Sequence, residues 1–125
     1  MGYESKLYIV EKPKNGLVDD GKTFVTPIAM YDMCKFPDLA EVLKKQPKTT
    51  CYFYADDGNT QVLVDKYDKE LTESPLSFVL DLLIELYEKD DSYRRILPCI
   101  KLLEIFKEEQ DKGKWQNLLV LHYGH

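Results

Sequence analysis

The sequence predicts an α+β domain, an antiparallel-rich sheet with helices packed mainly on one face, in the order β-β-α-β-β-α-α-β. Three observations carry that expectation. Residues 6–11, KLYIVE, are apolar on both faces of an alternating pattern, which marks a covered, central strand. Residues 51–64, CYFYADDGNTQVLV, set a turn signal between two alternating runs. Two later segments, ESPLSFVLDLLIELYEKDD and SYRRILPCIKLLEIFKEEQDKG, repeat apolar residues at helical spacing. Strands and helices segregated along the chain in this way pack as α+β.

The elements follow in order. After the first strand, KPKNGLVDDGK is a polar connection with turn signals at Asn15-Gly16 and Asp20-Gly21. TFVTPIAMYDM is the second strand, and Pro27 within it, lacking an N–H for the ladder, implies an edge, a bulge or a break. FPDLAEVLKKQP is a short helix with Pro37 at its first position, an apolar stripe of Leu39, Val42 and Leu43, and Pro47 beyond its end.

The hairpin comes next. With Asp57-Gly58 as the centre of a two-residue type I′ turn, Asp56 pairs with Asn59, Tyr54 with Gln61, Phe53 with Val62, Tyr52 with Leu63 and Cys51 with Val64. Cys51, Phe53, Val62 and Val64 then share one apolar face, and Tyr52, Tyr54, Gln61 and Leu63 the other.

In ESPLSFVLDLLIELYEKDD, Ser74 reads as an N-cap and Pro75 as the first helical residue. Ser77, Asp81, Glu85 and Glu88 make one polar stripe on an otherwise apolar cylinder. Asp90-Asp91-Ser92 reads as the cap of the last helix, which Pro98 kinks or starts late and Gly113 ends. LLVLHY is the final strand.

At 125 residues the chain is one domain, 1–125, long enough for one core. The opening MGYESKLYIVEK has no signal-peptide core. The longest apolar run is interrupted by Asp81 and Glu85, well short of the roughly 20 residues of a membrane span, so a cytoplasmic protein without membrane contact is expected.

Charge is distributed unevenly. From Asp56 to Asp91 eleven acids face three bases, a net −8, while the whole chain carries −5. Phosphate contacts supply most nucleic-acid affinity and need bases, so direct nucleic-acid binding is not expected.

Few constellations suggest chemistry. A calcium loop placing Gly58 at its sixth position would start at Phe53 and end at Val64, neither a ligand, and a phosphate loop needs more glycine and a base. Three widely spaced cysteines, Cys34, Cys51 and Cys99, suit buried thiols better than a disulfide framework or a zinc site. Cys34, beside Lys35, is the one with a basic neighbour. The HYGH terminus holds His122 and His125, read as a strand histidine beside a terminal one. There is no Walker, dinucleotide, HExxH or GxSxG motif; no cofactor, metal or enzymatic activity is expected.

Nine tyrosines remain to be explained. Most suit strands and core, but Tyr52, Tyr54 and Tyr67 lie in or beside the acidic segment. Tyrosines among carboxylates offer a basic groove flat apolar faces and negative charge, though the same acids also suit a plain solvated surface.

The stretches MGYESKLYIVEK and IAMYDMCKFPDL resemble the start of small phage- and prophage-encoded proteins of Gram-positive bacteria, over roughly the first forty residues. That resemblance implies an anti-defence protein of the anti-CRISPR kind: small, acidic, non-enzymatic, and bound to a nucleic-acid-handling effector. The first expectation is therefore a protein-binding inhibitor or adaptor that blocks a basic surface of a host protein through Tyr52, Tyr54, Asp56, Asp57, Asp65, Tyr67 and Asp68. A second is a small-ligand (nucleotide-like) binding or sponge protein with a pocket between sheet and helices. A third is an enzyme using Cys34 or a carboxylate pair, and a fourth a homo-oligomer of a mobile element.

Overall fold

The computed structural model describes residues 5–12, 18–19, 22–32, 37–63, 70–89, 94, 96–115 and 117–124. They form β1 (Ser5–Glu11), β2 (Val18–Asp19), β3 (Lys22–Phe24), β4 (Thr26–Asp32), α1 (Pro37–Leu43), β5 (Lys48–Thr49), β6 (Cys51–Tyr54), β7 (Thr60–Leu63), β8 (Leu71–Pro75), α2 (Leu76–Lys89), α3 (Leu97–Asp111) and β9 (Leu118–Gly124). The eight expected elements are all present in the expected order. Three short strands, β2, β5 and β8, are added, and the second expected strand is divided at Val25 into β3 and β4.

Two sheets result rather than one. The larger has the order β4-β1-β9-β8-β5, antiparallel throughout; the smaller has the order β2-β3-β6-β7, with β3 and β6 parallel. Single residues carry the chain between them at opposite edges of the larger sheet: Val25 leads from β3 into β4, and Thr50 from β5 into β6.

The period-two alternation of β1 and β9 explains the layering. Leu7 and Ile9 share one face with their partners on β9, His122 and Val120, while Tyr8 and Val10 share the other with Leu121 and Leu119. The first face is sealed by all three helices, through Leu39 and Leu43 of α1, Leu76, Val79, Leu80 and Leu83 of α2, and Cys99, Ile100 and Leu103 of α3. The second face packs Val10, Leu71, Leu119 and Leu121 against Val25, Cys51 and Leu63 of the smaller sheet and its junction. The domain is three layers: helices, five-stranded sheet, four-stranded sheet. The helices do lie on one face of the main sheet, and β1 is covered on both sides.

Local chemistry explains several boundaries. Pro27 lies on the edge strand β4, where its missing N–H costs the ladder nothing, and the register shifts between Ile9 and Val10, whose partners are Ala29 and Pro27. α3 begins at Leu97 with Pro98 in its first turn and Ile96 at the N-cap, so the proline marks a late start and not a kink. Asp90-Asp91-Ser92, expected as its cap, lie outside the described residues. α3 ends in a Schellman motif: Gly113, at φ +83°, donates to the Gln110 carbonyl at 2.9 Å and Lys114 to that of Glu109 at 3.0 Å. Gln110 Oε1 then accepts the Leu118 N–H at 2.7 Å, fixing the entry to β9.

One expectation is corrected here. Ser74 and Pro75 do not start α2; they end β8, and the helix begins at Leu76. Ser74 faces the helical layer beside Val120, its hydroxyl buried and without a hydrogen-bond partner among the described residues. The β8–β9 ladder claims the backbone that a cap would have needed. The polar stripe on α2 is as expected, with Ser77, Asp81, Glu85 and Glu88 all exposed. Among the described residues, no helix is long and apolar enough to cross a membrane.

Candidate functional site: the outer face of the hairpin

The β6–β7 hairpin is present, with a register one residue away from the expected one. Cys51 pairs with Leu63, Tyr52 with Val62, Phe53 with Gln61 and Tyr54 with Thr60. The reason lies in the turn. The Gly58 N–H donates to the Ala55 carbonyl at 2.8 Å and the Ala55 N–H to the Asn59 carbonyl at 2.9 Å, so the loop holds three residues, Asp56, Asp57 and Gly58. Gly58 takes the left-handed conformation, φ +84°, that such a loop needs at its last position. Asp57 closes it: its carboxylate accepts from the Asn59 N–H at 2.9 Å and from the Asn59 side-chain amide at 3.0 Å. These bonds, the backbone one first, hold the Asp57 carboxyl below the usual aspartate range.

A slip of one residue reverses every β7 side chain. Cys51, Phe53, Gln61 and Leu63 now share the inner face, and Tyr52, Tyr54, Thr60 and Val62 the outer face. Cys51 and Leu63 meet the core; further along, Phe53 is half-buried and Gln61 exposed, so the hairpin end overhangs the larger sheet.

The outer face is aromatic. Parallel pairing sets Phe24 beside Tyr52, and the Val25 N–H bonds the Tyr52 carbonyl at 2.9 Å. The Phe24 ring stacks on that of Tyr54, centroids 4.9 Å apart and planes 8° apart, and lies 6.1 Å from Tyr52 at a 46° tilt. Phe24 is buried, whereas Tyr54 is 57% exposed and Val62 40% exposed. Among the described residues no helix covers this face; the three described helices pack on the far side of the five-stranded sheet.

The expected site residues thus divide. Tyr52, Tyr54, Asp56 and Asp57 come together on the hairpin, Tyr52 half-buried and the other three exposed. Asp57 is committed to the turn, while Asp56 has no hydrogen bond or ion pair among the described residues. Asp65, Tyr67 and Asp68 lie outside the described residues. Phe24 joins them unannounced by any local pattern, brought in from 28 positions away in the chain by the parallel β3–β6 pairing.

The remaining candidates sit elsewhere. Cys99 is fully enclosed between helices and sheet, and burial pushes its thiol up to about 12. Cys51 is raised too, chiefly by burial, against the opposing effect of its 3.6 Å contact with the Thr49 hydroxyl. Neither is a poised nucleophile at neutral pH. Cys34 lies outside the described residues. His122 is buried on β9, where its carbonyl accepts the Thr72 hydroxyl at 3.2 Å; His125 lies outside the described residues. Among the described residues no group of three or more His, Cys, Asp or Glu side chains is arranged to hold a metal ion.

No protein-family model, no curated protein and no solved structure matches this chain. The class that fold and site define is a three-layer α+β domain presenting an aromatic-and-acidic hairpin that none of the described helices covers.

Proposed function

We propose that this chain is a non-enzymatic protein-binding inhibitor or adaptor that docks the outer face of its hairpin onto a basic surface of another protein. The observation that carries this reading is Tyr54: stacked on a buried phenylalanine, more than half exposed, and two residues from the exposed carboxylate of Asp56. A rigid aromatic loses little side-chain entropy on binding, and a neighbouring carboxylate steers and orients a basic partner. The acidic balance of residues 56–91 extends the attraction beyond contact distance. A nucleic-acid-handling protein of a host defence system fits this chemistry, because its working groove is basic, and the resemblance to phage-encoded anti-defence proteins agrees.

The test is affinity capture from a bacterial lysate at low and at high salt, with the unmodified chain and with Tyr54→Ala and Asp56→Lys variants as bait. One protein held at low salt, released at high salt and lost by both variants is the expected result. Equal capture by the variants places the interface elsewhere.

A second reading, a small-ligand binder with its site between the five-stranded sheet and the helices, is favoured by the unpartnered, buried Ser74 hydroxyl beside Thr72 and His122 on that face. It predicts that heating the purified protein releases a small molecule, and that nucleotides raise its melting temperature.

A further inference from the structure

Among the described residues the hairpin has an open edge as well as an open face. β7 is the last strand of its sheet, with β6 on one side and no described strand on the other. In an antiparallel pair, backbone groups of successive residues point alternately toward and away from the partner strand. Ala55 and Asn59 form a hydrogen-bonded pair, so Phe53–Gln61 and Cys51–Leu63 do as well. Thr60 and Val62 therefore turn their N–H and C=O groups outward, two donors and two acceptors along the free edge. Thr60, Gln61 and Val62 are all exposed. Natural sheets guard such edges with lysine, proline, bulges or an inward charge. The TQVL strand has none of these.

Register decides what an added strand would meet. Thr60 and Val62 carry their side chains on the outer face with Tyr54 and Tyr52. A residue set opposite Thr60 on an added strand projects onto that same face, about 10 Å from the Tyr54 backbone, two strand spacings away. The short Thr60 side chain leaves that path low. An arginine there reaches across Thr60 to lie on the exposed ring of Tyr54, at the end of the hairpin that carries Asp56.

We infer that β7 accepts an extended, arginine-bearing segment of the partner protein as a fifth strand, bonded to the backbones of Thr60 and Val62, with one arginine over Tyr54. This rests on the hairpin docking surface proposed above and adds how the partner is held. Charge selects the occupant: a second copy of this chain carries the same net charge of −5, whereas a basic strand complements Asp56.

The probe is a seven-residue peptide, acetylated and amidated, alternating arginine with threonine and valine. It is compared with the same peptide N-methylated at alternate backbone nitrogens, which keeps its charge and removes its edge donors. Binding is followed by amide chemical shifts of the full chain. The expected result is a shift and exchange protection of the Thr60 and Val62 amides, with affinity lower by about tenfold for the methylated peptide, the loss of one or two net hydrogen bonds. A Val62→Pro variant, whose missing N–H points away from the native ladder, should lose affinity similarly. Equal binding of both peptides overturns strand addition, and if Tyr54→Ala still abolishes that binding the docking surface survives without it. No binding of either peptide also overturns strand addition; the capture experiment then decides the docking surface alone. A concentration-dependent dimer abolished by Val62→Pro overturns the inference in favour of a second copy as occupant.

Discussion

The rings of Tyr54 and Phe24 stack with centroids 4.9 Å apart and planes within 8° of parallel, the tyrosine exposed and the phenylalanine buried. The pair joins β6 to β3 across a parallel register and turns a strand surface into a rigid platform. Replacing Tyr54 by Ala removes the stack and uncovers Phe24, with an expected cost of about 1 kcal/mol in urea unfolding. Tyr54→Phe keeps the stack and should unfold like the original chain. A cost as large in Tyr54→Phe would assign the stability to the hydroxyl instead.

Asp56 and Asp57 are neighbours with different tasks. Asp57 holds the turn through both bonds to Asn59, and its lowered carboxyl pKa fixes the sign of the pH effect: the stabilisation is present above the unfolded value of 3.8 and disappears as pH falls through the folded one. Asp57→Ala should lower the melting temperature at neutral pH and have little effect in strong acid. Asp56→Asn should leave the melting temperature unchanged at neutral pH while weakening partner binding. Melting curves of the two variants at pH 7 and below pH 3.8 check both statements.

How much of this was legible in the sequence follows from residue patterns. β1 and β9 could be read because both faces of each strand bury apolar side chains, and α2 because its polar residues return on one stripe. β8 could not: Thr72 and Ser74 are its buried positions on the helical face, the reverse of the usual pattern, and Ser-Pro imitates a helix start. The hairpin could be read but its register could not, because Asp-Gly suits a two-residue turn as well as the end of a three-residue one. The side-chain bonds from Asp57 to Asn59 select the second. β2 and β5, two residues each, are too short to carry a period, and Phe24 enters the site through a pairing of distant strands.

Ser74 and Thr72 allow a paired comparison. The Thr72 hydroxyl donates to the His122 carbonyl, while that of Ser74 is buried without a partner. Thr72→Val should cost about 1 kcal/mol, the usual net value of a hydrogen bond, whereas Ser74→Ala should be neutral or slightly stabilising. Chemical denaturation of both variants distinguishes this from a hydroxyl at Ser74 that does bind something: a marked loss in Ser74→Ala would point to the small-ligand reading.

The buried thiols set the alkaline limit. Because Cys99 is raised to about 12 in the folded chain, its neutral form favours folding fully below the unfolded value of 9.0, and that contribution is lost as pH climbs from there toward 12. Cys51 acts in the same direction. Unfolding free energy should therefore decline with pH above 9.0, and less steeply in Cys99→Ala. Neither thiol should react with a maleimide at pH 7 in the native protein. Rapid labelling of Cys99 under those conditions would contradict the packing of α3 on the sheet.

Docking through the hairpin's outer face, as proposed, is open to a direct test. The most direct measurement places a photo-crosslinking benzoylphenylalanine at position 54 and, in a second variant, at position 105, where Ile105 is 59% exposed on α3 in the helical layer. Each variant is irradiated in a bacterial lysate at low salt. Position 54 is expected to crosslink to one protein with a basic surface, high salt to abolish the product, and position 105 to yield none. The same protein crosslinked from position 105 and not from position 54 would contradict it.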